Sequence, residues 1–385
     1  MLICLCLFIG SACKDTPTPP DNGGNTNEPM DDPISLGFIT GMDLSYQSYL
    51  EPFDVPFKDE QGNAIEDMWS YVKNNGVNLI RVRLFHTPDP SDTIVYSSNL
   101  EEVLLMCEKI AGTNNRILLD FHYSDTWADP GKQFVPAAWE GRSVEAIEDS
   151  IYQYTKRVLE ALHAQNTLPY MVQIGNETNS GFLWDYGRLW IEPNDNFAAY
   201  KRLVDAASQA VSEMETEANV EIYTMLQHAG IVSSLAYFSK LKTFGIEYDV
   251  IGLSHYHLFH SKDLTAVEDA LHSLANVHRK PMLIVETNYP WTLDWADYTN
   301  NWVGATDQLI EGYPATPAGQ KAYYEEWVRI LKDVPNGLGQ GFVWWAPDFV
   351  AFRSSTSSRG SFMENLTVFD FDKQALPIME VFRKN

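Results

Sequence analysis

Cationic residues are scarce: 27 Lys+Arg stand against 52 Asp+Glu, which gives 385 residues a formal charge of −25 and a pI near 4.6. Neutralising a polyphosphate needs clustered cations, so nucleic acid is excluded as a partner. Cysteine is nearly absent as well, with four in the chain. If Cys4 and Cys6 leave with an export signal and Cys13 carries lipid, only Cys107 is left, and no intramolecular disulfide can form. Cys107 shares an apolar helical stripe with Val103 and Ile110 and reads as a small core residue. No strand-like run leads into a glycine-rich phosphate loop, since Gly337, Gly339 and Gly341 precede a strand and read as turn glycines. There is no His-Glu-x-x-His pair for a zinc ion and no Gly-x-Ser-x-Gly elbow for a serine nucleophile. Nucleotide, zinc and serine-hydrolase chemistry therefore lack their scaffolds.

What is present begins with an apolar leader. Residues 1–12, MLICLCLFIGSA, end in small residues before Cys13. Such a run is too short to cross a bilayer as a helix and resembles a bacterial lipoprotein signal. Lipid at Cys13 would anchor the protein at the cell surface or outer membrane. Simple export, into the periplasm or the medium, is the alternative. Residues 13–33 contain almost nothing apolar and are expected to be a flexible tether, leaving 34–385 as one domain.

Within that domain, short β-branched runs at 37–44, 77–85, 116–123, 169–177, 222–228, 249–257, 281–288 and 341–349 alternate with amphipathic stretches. Met68, Trp69 and Val72 continue a helical face from Ile65, as do Ile147, Ile151, Tyr154 and Val158, and Phe197, Tyr200, Leu203, Val204 and Ala207. Thr316-Pro317 reads as an N-cap and first-turn proline for the helix that carries Trp327, Ile330 and Leu331. Near-continuous apolar strands separated by helices imply parallel strands covered on both faces. Eight such units predict an α/β fold, the (β/α)8 barrel, with its working face at the C-terminal strand ends.

Those ends are unusually polar. They carry Asp43, Arg81 and Arg83, His122 to Asp125, Asn176-Glu177, Gln227-His228, His255 to His257, Glu286 to Asn288, and Trp344, Trp345 and Asp348. One polar strand end could be a cap, but eight on one rim are costly without a purpose. Glu177 after strand four and Glu286 after strand seven stand nearly opposite each other. Two facing carboxyls whose environments separate their pKa values can act as acid and nucleophile in glycosidic cleavage. Either glutamate alone could equally serve as a salt-bridge partner to Arg81 or Arg83.

The segments GMDLS (41–45), GVNLIRVRLF (76–85), LLDFHYSDTWADPGKQ (118–133), VQIGNETNSGFLW (172–184), VIGLSHYHLF (250–259), PMLIVETNYPW (281–291) and GFVWWAPDF (341–349) together resemble the endo-β-1,4-galactanases of glycoside hydrolase family 53. The resemblance implies a retaining endo-hydrolase for β-1,4-galactan that needs no cofactor, with Glu177 as acid/base and Glu286 as nucleophile. It implies Asn176 on the sugar 2-hydroxyl and Arg81 on the nucleophile, although Arg83 has the same strand parity. Asp43, His122, Asp125 and His255 are expected near the cleaved sugar. Trp127, Trp291, Trp344 and Trp345 are candidate stacking platforms; one of Trp344 and Trp345 must point away from the interior. Structural calcium after strand seven is a further implication, with Asp294, Asp297, Asn300 and Asn301 as ligands. Other readings are a mannanase, xylanase or glucanase of the same clan, or a barrel that binds glycans without cutting them. A monomer is expected.

Overall fold

A computed structural model describes residues 37–190 and 195–385. The leader, the tether and Cys13 lie outside the described residues. The barrel strands are β1 (Ile39–Asp43), β2 (Leu79–Leu84), β3 (Arg116–Phe121), β4 (Met171–Ile174), β5 (Tyr223–Ala229), β6 (Val250–His255), β7 (Met282–Thr287) and β8 (Gly339–Trp345). All run parallel and close on themselves, with β1 paired to both β2 and β8. Every strand falls within the run its sequence predicts, except that β5 ends one residue later and β8 starts two residues earlier.

The helices that cover the barrel are α1 (Met68–Asn74), α2 (Leu100–Ala111), α3 (Val144–Ala164), α4 (Phe197–Ala218), α5 (Ser234–Thr243), α6 (Leu264–His278), α7 (Pro317–Asp333) and α8 (Met379–Lys384). Their predicted apolar faces are buried: Met68, Trp69 and Val72 on α1, Ile147 to Val158 on α3, Phe197 to Ala207 on α4, and Trp327, Ile330 and Leu331 on α7. Thr316 caps α7 as its sequence implies, its side chain accepting from Gly319 N at 3.0 Å; such a cap contributes about 1 kcal/mol. Cys107 is buried on α2, and burial pushes its thiol up to about 12, so it is an inert core residue. Among the described residues no helix is long and apolar enough to cross a membrane.

Side chains that point into the barrel form two kinds of layer. Ile39, Leu79, Leu118, Met171, Met225, Val250, Leu283 and Val343 make an apolar floor. Two residues further along, the inward positions of four strands turn polar at Arg81, Asp120, Gln173 and Gln227, and β6 follows at Ser254, four residues past Val250. Two strands break the simple alternation. The pairing of β7 skips one residue against both neighbours, from Leu253–Ile284 to Ser254–Glu286 and from Phe342–Ile284 to Trp344–Thr287. This bulge at Val285 turns Glu286 inward when strict alternation from Leu283 would turn it out. Gly339 and Gly341 are not turn residues but part of β8. A Cβ on Gly341, at φ +133°, would lie 2.0 Å from the Ile39 carbonyl oxygen, so only glycine lets β8 approach β1 there.

Candidate active site

The polar layer opens into a cleft of about 450 Å³ at the C-terminal strand ends, lined by Glu177 and Glu286 together with Arg81, Asn176, Tyr256 and Trp345. A larger hollow of about 820 Å³ lies on the flank, between the loop after β1 and α2. None of the polar layer reaches it.

Glu177 stands where the chain turns sharply off β4, with φ +80° at Gly175 and +46° at Glu177. A left-handed glutamate is strained and must be held. Its N–H donates to Gln227 Oε1 at 2.9 Å, Thr178 N donates to the Gln227 carbonyl at 3.0 Å, and Gln133 Nε2 donates to the Asn176 carbonyl at 2.8 Å. Burial, and then the neighbouring charge of Glu286, push the Glu177 carboxyl up to about 8. It is thus protonated at neutral pH and can act as an acid.

Three donors converge on Glu286. Arg81 Nη2 lies 2.8 Å and Gln227 Nε2 3.1 Å from Oε1, and Tyr256 Oη donates to Oε2 at 2.7 Å. Burial opposes the charge on Arg81, but Asp120, Glu286 and Asp43 outweigh it and hold the guanidinium protonated. Burial, with the two glutamates, raises the Tyr256 hydroxyl well above its ordinary value, so it remains a donor. Asn176 Oδ1 accepts from Arg81 at 2.9 Å, while its Nδ2 gives one hydrogen to the Ala128 carbonyl at 2.8 Å. The second hydrogen is left for a substrate oxygen.

The structure separates Arg81 from Arg83. Arg81 holds the nucleophile; Arg83 also lines the cleft, sandwiched between the rings of Tyr46 and Trp127. Trp127 reaches the cleft, as does His122, whose Nδ1 accepts from Ala128 N at 3.2 Å and whose Nε2 faces Asp120 at 3.1 Å. Asp43 lies below, wholly buried, binding Arg81 Nη1 and the Ser45 hydroxyl. Asp125 joins loops instead of facing sugar, accepting from Thr87 N and Ala137 N.

Three further expectations are corrected. His255 points out of the barrel against Trp327, because Ser254 takes the inward position. Trp344 also faces outward, stacked on Tyr324 at 4.2 Å with its indole N–H on the Leu366 carbonyl, so Trp345 is the residue that reaches the cleft. Trp291 packs on Phe371 and does not line the cleft. In its place Trp302 stacks on Trp345, with ring centroids 5.7 Å apart at 14°. Sequence reasoning assigned no role to Trp302, Tyr256 or Gln227. Parity with Ser254 was the signal that could have found Tyr256.

After β7, Asp294 and Asn300 are exposed. Asp297 Oδ2, Asn301 Oδ1 and Glu364 Oε2, by contrast, are buried without a hydrogen-bond partner. Burial and then Asp297 raise the Glu364 carboxyl. Three orphaned oxygens of this kind fit a hard cation such as calcium. Among the described residues one cluster of three His, Asp and Glu side chains could share a metal, Glu268, His272 and Asp333. It lies between α6 and α7, and its Glu268 is already bound by Arg329.

A protonated carboxyl and a carboxylate held by donors, facing each other over the C-terminal mouth of a (β/α)8 barrel, define a glycoside hydrolase. Comparison with known proteins narrows the class. The model of Glycosyl hydrolase family 53 matches residues 39–382, and the chain belongs to that family. An arabinogalactan endo-beta-1,4-galactanase of Cellvibrio japonicus is 34% identical over 351 residues, 90% of each chain. An uncharacterised Niallia circulans protein is 36% identical over 345 residues, 88% of this chain and 92% of that one. The GH53 catalytic domain of Ignisphaera aggregans superposes with a TM-score of 0.82 at 30% identity, covering 91% of this chain and 98% of that one.

Proposed function

We propose that this glycoside hydrolase cuts β-1,4-linked galactan internally, with net retention by double displacement. The observation that carries the reading is the division between its two carboxyls, one kept protonated by burial and the other gripped by Arg81, Gln227 and Tyr256. Glu177 donates its proton to the glycosidic oxygen as a Glu286 oxygen attacks the anomeric carbon and the leaving chain departs. The resulting carboxylate of Glu177 then takes a proton from water, whose oxygen attacks the same carbon and frees Glu286. The free hydrogen of Asn176 Nδ2 is positioned for the sugar 2-hydroxyl, a contact that strengthens in the transition state. Trp345 and Trp302 offer ring faces to the C–H side of a pyranose. The chemistry needs no cofactor.

Glu177→Gln and Glu286→Gln should each lower reducing-sugar release from β-1,4-galactan by roughly 10²–10⁴-fold with unchanged circular dichroism. Near-wild-type turnover in either would sink the assignment, and faster release from mannan, xylan or β-glucan would move the substrate to another member of the clan.

We also propose that Asp297, Asn301 and Glu364 hold a structural calcium ion, and that the protein is exported and lipidated at Cys13. The supports are the orphaned oxygens and the leader sequence. Radioactive fatty acid should label the wild type in cells but not Cys13→Ala; equal labelling would exclude the anchor.

A further inference from the structure

Arg83 is only 1% exposed, and among the described residues its Nε, Nη1 and Nη2 have no hydrogen-bond partner. Two residues earlier on the same inward face, Arg81 places its guanidinium against Gln173, Asp43, Asp120, Asn176 and Glu286. A guanidinium stays charged and carries five N–H donors. Burying it without acceptors is strongly unfavourable. The Tyr46 and Trp127 rings, 4.2 and 4.6 Å from its central carbon, answer the charge, but a ring face does not replace N–H···O bonds. Among the described residues no acceptor meets them, which leaves them available to a ligand in the cleft.

Arg83 lines the same cleft as Glu177 and Glu286. His122 cannot serve a ligand there, since both its ring nitrogens are engaged. Two further buried polar atoms, Tyr46 Oη and Asp348 Oδ1, also lack partners among the described residues, and both groups feel the Arg83 charge.

We propose that Arg83 is a specificity residue whose N–H groups take a ring hydroxyl oxygen, O4 or O6, of the galactosyl unit at the cleaved position. The inference rests on the galactan reading. Its test uses aryl β-1,4-galactobiosides that are intact, 4-deoxy or 6-deoxy at that unit, with wild type, Arg83→Met and Arg83→Lys. Rates are expressed per active site labelled at Glu286 by a 2-fluoro glycoside, so misfolded protein does not count.

Arg83→Met should lower kcat/KM on the intact substrate by about 10–10²-fold. Removing the contacted hydroxyl should cost the wild type a similar factor and cost Arg83→Met nothing further, and the deoxy position that shows this cancellation identifies the oxygen. Arg83→Lys, which keeps a charge between the rings, should show a smaller drop and partial cancellation. Deoxy penalties of full wild-type size in both variants would overturn the proposal. A wild type that ignores galactobiosides but cleaves a gluco or xylo analogue would instead overturn the galactan reading.

Discussion

Glu177 and Glu286 are the same residue type in one cleft, and their surroundings assign the roles. Glu177 gains no ion pair and feels its neighbour's charge; Glu286 faces a guanidinium, an amide and a phenol. If the repulsion is real, Glu286→Gln should move the Glu177 carboxyl titration down from about 8 while burial keeps it above the ordinary value of about 4.3. Carboxyl-carbon NMR reads it, and an unmoved titration would refute the coupling. Stability follows the same shift. An unfolded glutamate releases its proton near 4.5, whereas the folded one keeps it to about 8. The folded state therefore binds more protons in that window and loses stability as pH rises through it. The Tm of Glu177→Gln relative to wild type should accordingly climb between pH 4.5 and 8; a flat difference would count against it. The two glutamates were legible because both follow polar strand ends. Arg81 and Arg83 were not separable, because parity gives the side of the strand and not the partners met there.

At the scale of elements, the strands were readable wherever alternation is regular, and errors follow the irregularities. The bulge in β7 resets which residues face inward at the point where the nucleophile sits, and another irregularity at Gly339 and Gly341 precedes the paired tryptophans of β8. Sequence spacing shows that Trp344 and Trp345 take opposite sides but does not set the phase. The pair gives a direct check. Trp345→Ala should lower kcat/KM on galactan per folded molecule, with stacking losses of about 1 kcal/mol or more. Trp344→Ala, emptying a fully buried site beside Tyr324, should cost about 3–5 kcal/mol of stability with kcat/KM per folded molecule preserved. The reverse pattern in the kinetics per folded molecule would overturn the assigned orientations.

Across the whole molecule the −25 charge is mostly a solvated surface, and two carboxyls perform the chemistry. One inward concentration of acidity stands apart, where Asp297 and Glu364 approach from the loops after β7 and β8. Calcium there would tie those loops together beside Trp302, whose backbone N–H donates to the Phe362 carbonyl at 3.1 Å. A chelator should lower the Tm of wild type, added calcium should restore it, and Glu364→Gln should respond to neither. A wild-type Tm indifferent to both would exclude the ion. The sequence pointed to this loop but not to Glu364, which is distant in the chain and reaches the site only through barrel closure.

Gln227 touches both halves of the machinery. Its Oε1 receives the Glu177 N–H at 2.9 Å, and its Nε2 donates to Glu286 at 3.1 Å and to the Ser254 hydroxyl at 2.7 Å. One amide group is thus a gauge block between the acid's backbone and the nucleophile's carboxylate. It cannot be reversed, since exchanging its oxygen and nitrogen would set like against like at both ends. The tolerance of the whole reaction centre is machined into a single planar group a few ångströms long, carried by a strand that contributes neither catalytic carboxyl.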